Sequence, residues 1–410
     1  MSVQRIVIVG GGAAGIFAAV TCAEAVPGRE VVVLEKGPQF LSKVLISGGG
    51  RCNVTHACFD PRELAAFYPR GERALLGAFR TFQPTDTVQW FESRGVKLKT
   101  QDDGCMFPLS DSSQTIIDCM LGAARAAGVT LRNNCGVERV ARRVGGGFEV
   151  YLSNHETLTC DRLLLTTGGC RTAAAGQLAV SLEHTLVPPV PSLFTFQIGV
   201  PWLYTLAGIV VEDVKISAPE VNLSERGILL ITHEGLSGPA VLRLSAWGAR
   251  TMHALNYQLR VHINWLPTLS PEAITAELLA RRQTQGARLV VNAPLAPLQA
   301  RLWEQLVLAA GVARNTPCAG LTRTAQHQLI QQLIRTELPV TGKSLNKEEF
   351  VTCGGVPLNE VNFKTMESRR CPGLFFGGEL LDLDGLTGGY NLQAAWTTGW
   401  IAGKAMGAEE

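Results

Sequence analysis

The first 36 residues consist of two short apolar runs on either side of a longer one. Residues 3–9 (VQRIVIV) and 31–34 (VVVL) are β-branched runs of strand length, and IFAAVTCAEAV between them is long enough for a helix. Glycines 10–12 and Gly15 separate the first strand from the helix, and Glu35 follows the second strand. This order predicts a βαβ unit with a dinucleotide fingerprint.

Each residue type in this unit has a physical reason. Gly10 permits the tight turn, Gly12 lets backbone amides approach a pyrophosphate, and Gly15 lets the helix lie close to the strand. The helix N-terminus favours phosphate, and Glu35 can accept hydrogen bonds from a ribose diol. We therefore expect half of a dinucleotide site here. The alternative is a glycine-rich turn without a ligand.

The pattern continues with helices and short strands up to residue 169. Helical spacing predicts three helices within residues 61–94, the last capped by Thr85, and a fourth over residues 110–128. Asp103 and Gly104 predict the turn of a hairpin. Residues 129–169 read as a second parallel strand, a three-stranded meander with its turn at Gly145–Gly147, and a return strand.

The pattern changes after residue 187. Pro188, Pro189 and Pro191 predict a break, and the β-branched runs within residues 193–200, 206–217, 226–245 and 257–266 predict a small antiparallel sheet or barrel. Residues 270–338 have helical spacing, and Ser270 followed by Pro271 is a typical helix start.

A second glycine-rich segment, KVLISGGGRCNVT, spans residues 43–55. Glycines 48–50 suit a loop whose amides face an anion, and Arg51 and Lys43 can add charge-assisted bonds to phosphate or to a flavin edge. The alternative is an exposed flexible loop. We interpret Cys52 as packed against a cofactor, and His56 as a loop histidine without a catalytic role.

A third glycine-rich segment closes the chain. The strand GLFFGGE, an acidic loop and a helix that starts near Tyr390 follow one another. Glu379 at the strand end can meet a ribityl hydroxyl. Residues 388–391 open the helix toward a flavin ring, where its amides can stabilise negative charge. A helix that only closes the domain is the alternative.

Composition narrows the function. The 410 residues suggest two or three domains, and 46% hydrophobic with 18% charged residues is ordinary for a soluble enzyme. A net charge of +2 without a basic run among aromatic residues disfavours nucleic acid. No apolar stretch approaches the roughly 20 residues that span a bilayer, and the N-terminus leaves no room for a signal peptide. We expect no membrane partner and a cytoplasmic location.

Cysteine spacing argues against a metal site, and the glycine motifs argue against a pyridine-nucleotide domain. The eleven cysteines are scattered singly, which predicts reduced thiols and no metal site. A flavin-linked disulfide between Cys52 and Cys58 is a minor alternative. No second GxGxxG unit occurs in the middle of the chain, so a dedicated pyridine-nucleotide domain is not expected, and the electron donor or acceptor stays open.

Five motifs together resemble one family. They are GGGAAG at 10–15, ISGGGRCNVT at 46–55, THEGLSGP at 232–239, TCGGV at 352–356 and GELLDLDGLTGGYNLQAAW at 378–396. They resemble the BaiN-like or aminoacetone-oxidase-like bacterial flavoproteins, distant relatives of the fumarate reductase and glutathione reductase flavin folds. The resemblance implies one noncovalent, extended FAD and a substrate cavity between the flavin and the inserted domain.

The fold prediction combines the pattern with this resemblance. It is an α/β fold in which a Rossmann-type FAD-binding domain (1–190 and 345–410) carries an inserted antiparallel β-barrel domain (191–269 and 338–344) and a small helical cap (270–337). The predicted cofactor-binding residues are Gly10, Gly11, Gly12, Ala14, Gly15, Glu35, Lys36, Lys43, Ser47, Gly48, Gly50, Arg51, Cys52, Asn53, Val137, Thr167, Gly168, Gly378, Glu379, Gly388, Gly389, Tyr390, Asn391 and Leu392.

The functional hypothesis is hydride transfer between noncovalent FAD and a small organic molecule, with His233, Tyr390 and Arg51 as candidate catalytic residues. Two alternatives stay open. One is an oxidase of a small amine that produces hydrogen peroxide, and the other is a flavin-binding regulator without turnover. No sequence feature separates a reductase from an oxidase, because oxygen reactivity depends on access and charge near the flavin.

Overall fold

The computed structural model describes residues 5–170, 173–344 and 351–408. Val3 and Gln4 of the predicted first strand, and residues 345–350 at the predicted return to the FAD-binding domain, lie outside this range. The chain divides into two compact units, Met1–Ser192 with Asn346–Glu410, and Leu193–Leu345.

The elements are numbered here in chain order. The strands are β1 Arg5–Val9, β2 Glu30–Leu34, β3 Thr55–His56, β4 Leu98–Thr100, β5 Cys105–Pro108, β6 Thr130–Arg132, β7 Val137–Arg142, β8 Phe148–Leu152, β9 Thr157–Cys160, β10 Arg162–Leu165, β11 Val187–Ser192, β12 Thr195–Ile198, β13 Val210–Ala218, β14 Leu223–Ile231, β15 Gly235–Ser237, β16 Leu259–Asn264, β17 Thr336–Ser344, β18 Val351–Gly355, β19 Val361–Asn362, β20 Glu367–Ser368 and β21 Leu374–Phe376. The helices are α1 Ala13–Ala25, α2 Ser42–Gly50, α3 Pro61–Ala65, α4 Glu72–Phe79, α5 Pro84–Glu92, α6 Ser113–Ala126, α7 Ala173–Val180, α8 Pro201–Tyr204, α9 Pro239–Ala254, α10 Pro271–Thr284, α11 Ala300–Ala309, α12 Arg323–Ile334 and α13 Tyr390–Gly407.

A seven-stranded sheet organises the first unit, in the order β19-β20-β21-β10-β1-β2-β6. The five strands from β21 to β6 are parallel, and their register aligns Val9 with Leu34 and Leu165, and Leu165 with Phe376. Parallel strands in register end at one edge of a sheet, which is where α/β proteins bind ligands. The segments that follow β1, β2, β10 and β21 therefore meet at that edge.

The helices α1 and α13 pack against each other through small residues. An added Cβ at Gly399 would lie 2.5 Å from the Ala14 carbonyl oxygen, and at Gly403 it would lie 2.5 Å from the Ala18 carbonyl oxygen. At Gly407, one turn further along, an added Cβ would lie 3.1 Å from the Ala25 Cβ. A glycine at every fourth position thus lets the two backbones approach more closely than side chains would permit.

Smaller sheets accompany the large one. The predicted hairpin at Asp103–Gly104 is β4-β5, with β3 as a third strand, and the predicted meander is β7-β8-β9. The predicted break at Pro188, Pro189 and Pro191 is wrong, since these residues lie in β11, which pairs with β18. The pairing is irregular between Val187 and Val190, and such an irregularity accommodates residues that lack an N–H group.

The second unit contains a closed antiparallel barrel, with strands in the order β12-β15-β14-β13-β16-β17. Helices α10, α11 and α12 share one hydrophobic core with these strands, in which Trp265 and Trp303 are fully buried. The barrel and the helices of the fold prediction are therefore both present.

Two local predictions are corrected by the structure. Residues 239–245 were expected to continue a strand but begin α9, because Gly238 turns the chain at φ +93° and Pro239 occupies the first helical position. The buried positions of α9, such as Val241, Leu244 and Gly248, repeat every three or four residues. The cap of α5 is Gln83, which forms a capping box with Asp86, and not Thr85.

Across the described residues, no helix combines the length and apolar character needed to cross a membrane, and no cluster of three or more His, Cys, Asp or Glu side chains is placed to hold a metal ion.

The α1–α13 contact generates a stability prediction. Gly403→Ala places a methyl group against the Ala18 carbonyl and should lower the free energy of unfolding by about 1–3 kcal/mol. Gly122→Ala in α6 is the control, since nothing lies within 4 Å of its Cβ position. That control should be neutral or stabilising by about 0.5–1 kcal/mol. Urea denaturation of both variants tests the contact, and equal stabilities for the two would contradict it.

Candidate functional site

The turn between β1 and α1 requires glycine at two positions. At Gly10, φ is +110° and an added Cβ would lie 2.3 Å from the Thr166 carbonyl oxygen. At Gly15 it would lie 2.0 Å from the Gly10 carbonyl oxygen, so the helix rests directly on the turn. Gly12 has no atom within 4 Å of its Cβ position. Its backbone therefore faces open space at the start of α1.

The start of α1 has backbone amides that favour an anion. The first hydrogen bond inside the helix runs from the Ile16 N–H to the Gly12 carbonyl oxygen at 3.0 Å. The amides of residues 13–15 therefore precede the helical ladder, and the helix dipole places partial positive charge on them. Ala14 is buried here, and an added Cβ at Gly378 would lie 3.0 Å from its Cβ. The strand end of β21 thus reaches the same place.

Glu35 is held at the end of β2 by two backbone amides. The Gly11 N–H donates to Oε2 at 2.8 Å, and the Gly37 N–H donates to Oε1 at 2.7 Å. A carboxylate has about four acceptor positions, so each oxygen keeps one for another donor. The carboxylate is therefore fixed in position and can still accept hydrogen bonds from a diol.

Two other predicted residues lie near Glu35. Lys36 is exposed, and its Cγ is 3.5 Å from the Cβ position of Gly136. Val137 follows Gly136 as the first residue of β7, an edge strand of the meander. An edge strand presents backbone groups that can bond to a ligand, which suits the predicted cofactor contact of Val137.

The segment that contains glycines 48–50 leaves helical geometry within the bounds of α2. Ser47 is extended, with ψ 146°, and the three glycines have φ of +58°, +67° and +83°. The chain then folds back, so that the Cys52 N–H donates to the Ser47 carbonyl oxygen at 2.9 Å. The Cβ positions of Gly49 and Gly50 are open. The segment is therefore a compact loop with an open glycine face.

Arg51 and Cys52 play different parts in this loop. The Arg51 guanidinium lies 4.2 Å from the ring centroid of Phe107, which fixes a half-buried cation beside the glycines. Burial raises the pKa of the Cys52 thiol to about 12, so it is not a nucleophile at neutral pH. Cys52 and Cys58 are both free thiols, as are the other nine cysteines.

Asn53 joins the second glycine-rich segment to the third. In the amide orientation that satisfies its neighbours, its nitrogen donates to the Thr55 carbonyl oxygen at 3.0 Å and its oxygen accepts from the Gly389 N–H at 3.2 Å. At Gly389, φ is +92°, and an added Cβ would lie 2.6 Å from the Thr55 carbonyl oxygen. Segments 336 residues apart along the chain thus meet at the start of α13.

Tyr390, the first residue of α13, belongs to a cluster of three rings with His56 and Phe67. Its ring centroid is 4.7 Å from that of His56 and 4.6 Å from that of Phe67, with interplanar angles of 20° and 13°. His56 belongs to β3 and not to a loop, and its Nε2–H donates to the Asp103 carbonyl oxygen at 3.0 Å. Burial lowers the pKa of His56, so its ring is neutral near pH 7. The predicted loop histidine is therefore a packed aromatic partner of Tyr390.

The acidic loop before α13 is held by polar contacts. The Asn391 side chain accepts from the Gly385 N–H and donates to the Gly385 carbonyl oxygen, both at 2.8 Å. Asp384 is fully buried and forms a two-pronged ion pair with Arg70, and Ser192 donates to it at 2.6 Å. Asn391 thus supports the loop through its side chain, and the half-buried Leu392 follows it.

Glu379 lies just beyond the end of β21. Its Oε1 accepts from the Thr352 N–H at 3.0 Å, and its Oε2 pairs with Lys43 Nζ. Thr167 and Gly168 follow β10 at the same sheet edge, and Gly168 has φ +78° with an open Cβ position. Residues from four separate segments therefore surround this edge.

His233 lies in the other unit, exposed in the turn between β14 and β15. His253 pairs with the Tyr257 hydroxyl, and His262 with Glu337, which is consistent with structural roles.

The whole sequence matches one family. Residues 4–405 match the HI0933-like protein Rossmann domain. The chain belongs to this family. It is also 31% identical to the ribosomal RNA dihydrouridine synthase of Escherichia coli strain K12, covering 98% of this chain and 97% of that one. It is 29% identical to the 3-dehydro-bile acid delta(4,6)-reductase of Clostridium scindens, covering 98% of both.

Solved structures share the fold of this HI0933-like protein. The 3-ketosteroid-delta4-(5alpha)-dehydrogenase of Rhodococcus jostii RHA1 aligns with a TM-score of 0.51 at 14% identity over 99% of this chain and 97% of that chain. The 3-ketosteroid delta1-dehydrogenase of Sterolibacterium denitrificans aligns with a TM-score of 0.52 at 11% identity over 98% and 99%. Together with the family, they confirm the Rossmann flavoprotein fold. The protein is an FAD-dependent oxidoreductase.

The residues of the HI0933-like site suit FAD. The open backbone of Gly12 and the amides of residues 13–15 offer a place for the pyrophosphate, and Glu35 offers acceptors for the ribose. The loop of glycines 48–50 and the start of α13 meet through Asn53 at the other end. The predicted cofactor residues therefore form one series along the sheet edge, and we propose them as the FAD contacts.

Sequence reasoning missed residues that support this site from a distance. Thr166 donates to the Gly10 carbonyl oxygen at 2.9 Å, and Gln393 accepts from Thr55 at 2.6 Å. Trp396 donates to the Val54 carbonyl oxygen at 2.9 Å. Each is an ordinary polar or aromatic residue in an apolar run, so only the three-dimensional pairing identifies it.

Glu35 provides the first prediction about the cofactor. Glu35→Gln keeps the size of the side chain and removes the charge, and it should weaken FAD binding by roughly 1.5–3 kcal/mol. Glu30→Gln is the control, because Glu30 lies at the start of β2 and pairs with Arg5 of β1. Calorimetric titration of apoprotein with FAD measures both. An unchanged Glu35→Gln dissociation constant would exclude the ribose role.

The buried ion pair provides the second prediction. Asp384→Asn removes the buried carboxylate charge that pairs with the Arg70 guanidinium, so the free energy of unfolding should fall by about 3–5 kcal/mol. Asp213→Asn is the control, since Asp213 pairs with Arg226 on the exposed barrel surface. Urea denaturation should separate the two variants clearly. A loss no larger in Asp384→Asn than in the control would show that this pair does not hold the loop.

Proposed function

We propose that this protein reduces a carbon–carbon double bond that is conjugated with a carbonyl group. The observation that carries the proposal is the reaction shared by the two curated relatives, each of which aligns over 98% of this chain. Dihydrouridine synthesis saturates the uracil ring double bond beside a carbonyl, and a 3-dehydro delta(4,6)-reductase acts on double bonds conjugated with a ketone. Both names describe addition of two hydrogens to the same kind of bond.

Such a reduction makes two demands on the protein. Bound FAD, once reduced by an electron donor, would supply the hydride. Negative charge then develops on the substrate carbonyl oxygen, and a fixed cation or amide lowers the energy of that state. Arg51, held over Phe107, and the N-terminal amides of α13 are the positive groups at this end of the site. We assign Arg51 the role of stabilising the developing oxyanion.

The second demand is a proton for the neighbouring carbon. Tyr390 carries a phenol at the start of α13, and its ring is held by stacking contacts with His56 and Phe67. A positioned phenol is a competent general acid. Tyr390 is therefore our candidate proton donor, while the exposed His233 has no comparable support.

A uridine in RNA is a second candidate substrate, favoured by the 31% identical relative named for ribosomal RNA. The small net charge of +2 favours a small molecule instead. Oxidation of a small amine with release of hydrogen peroxide would pass electrons from the substrate to the flavin. The names of both relatives instead describe reduction of the substrate.

A reoxidation experiment tests the proposal and separates these substrates. Holoprotein is reduced without oxygen and mixed with cyclohexenone, with a conjugated keto steroid, or with RNA transcribed in vitro. We expect a conjugated carbonyl compound or the RNA to reoxidise the flavin and to be recovered with its double bond saturated. Reoxidation by air alone, with stoichiometric peroxide and with flavin reduction by a small amine, would contradict the proposal and favour the oxidase.

The role of Arg51 has its own prediction. Arg51→Gln should slow substrate-dependent reoxidation by about 100-fold or more, because the oxyanion loses its cation. Arg73→Gln on the exposed face of α4 is the control and should leave the rate unchanged. Stopped-flow absorbance measures both rates. Equal rates for Arg51→Gln and the wild type would remove Arg51 from the mechanism.

A further inference from the structure

We propose that Thr352 is a cofactor-holding residue whose hydroxyl, together with the Glu379 carboxylate, binds one hydroxyl of the ribityl chain of FAD. This role does not depend on the proposed reaction and holds for any substrate. The observation behind it is one buried oxygen atom, Thr352 Oγ1. Thr352 is 4% exposed, and its buried Oγ1 has no hydrogen-bond partner among the described residues.

A buried hydroxyl without a partner is costly, so native structures usually satisfy it. Thr352 lies on β18, and its N–H donates to Glu379 Oε1 at 3.0 Å, so the side chains of these two residues are neighbours. The Thr352 hydroxyl and the Glu379 carboxylate therefore form a matched pair of polar groups.

Gly169 leaves room for this pair. An added Cβ at Gly169 would lie 2.1 Å from Thr352 Oγ1 and 3.0 Å from Glu379 Oε1. Gly169 is not in the left-handed region, so the need for glycine there is one of space. Any side chain at Gly169 would displace both oxygen atoms.

The place along the site identifies the ligand group. Gly378, which precedes Glu379, lies against Ala14 at the predicted pyrophosphate end, while Gly389 marks the predicted ring end. In FAD, the polyol chain connects these two ends. Glu379 therefore lies where ribityl hydroxyls pass.

The chemistry of the pair fits a hydroxyl. Ionised Glu379 can only accept hydrogen bonds, whereas the Thr352 hydroxyl can donate one. A ribityl hydroxyl donates to the carboxylate and accepts from Thr352, so all three groups are satisfied. A phosphate would meet the negative carboxylate, and a flavin ring carries no hydroxyl.

The test measures binding and does not depend on activity. Full-length apoprotein is titrated with FAD, with FAD analogues that each lack one ribityl hydroxyl, and with ADP, which has no ribityl chain. Thr352→Val should raise the FAD dissociation constant about tenfold, and Thr352→Ser should stay within about twofold of wild type. For the analogue that lacks the bound hydroxyl, Thr352→Val and wild type should bind equally. ADP should bind equally to all three proteins.

Two results would overturn the proposal. One is an FAD dissociation constant for Thr352→Val equal to that of wild type, as expected if the hydroxyl only packs. The other is an equal loss for ADP and for every analogue, which would mean a general distortion of the site. Wild-type protein alone gives an independent check that needs no variant. If every analogue that lacks one ribityl hydroxyl bound as tightly as FAD, the proposed contact of Thr352 and Glu379 with a ribityl hydroxyl would be excluded.

Discussion

The close contact between α1 and α13 is the constraint on which the site depends. Glycines at positions 399, 403 and 407 let the last helix lie against the backbone of the first. Each helix starts directly after a glycine-rich turn, at Gly12 and at Gly389. Because the helices are packed together, the two turns cannot move independently. The contact between the helices therefore fixes the proposed phosphate end and the proposed ring end of the site relative to each other.

Other interactions extend this constraint to the remaining segments. The parallel register brings the ends of β1, β2, β10 and β21 to one edge, and the Asn53 side chain ties the glycine 48–50 loop to α13. The ion pair of Arg70 with Asp384 holds the acidic loop that precedes α13. The site is thus assembled from segments at both ends of the chain, while the barrel unit is inserted after Ser192.

The sequence was sufficient for the features that depend on local backbone chemistry. Gly10, Gly12 and Gly15 could be assigned because each role needs glycine within a few residues of the first strand. These roles are the tight turn, the approach of backbone amides to a ligand, and the close packing of the helix on the strand. The fold class followed from periodicity together with the family resemblance, and the hairpin followed from the turn residues Asp103 and Gly104. The start of α9 was not predicted, because PAVLRLS is apolar enough for a strand and only the turn at Gly238 decides otherwise.

The contacts that the sequence did not predict join residues that lie far apart in the chain. His56 was expected in a loop, yet Tyr390 and Phe67 make it part of a ring stack. Arg70 and Asp384 are separated by more than 300 residues, and Thr352 acquires meaning only beside Glu379 and Gly169. Single polar residues of this kind carry no periodic signal, so no sequence pattern could pair them.

We propose that separated segments hold one FAD along a single sheet edge. Hydrogen–deuterium exchange of apoprotein and FAD-loaded protein tests it most directly, because it reports every segment at once. We expect FAD to slow exchange together in residues 10–15, 35–37, 47–53 and 378–392, and to leave α10 unchanged. Protection confined to residues 10–15 and 35–37, or no protection at all, would contradict it.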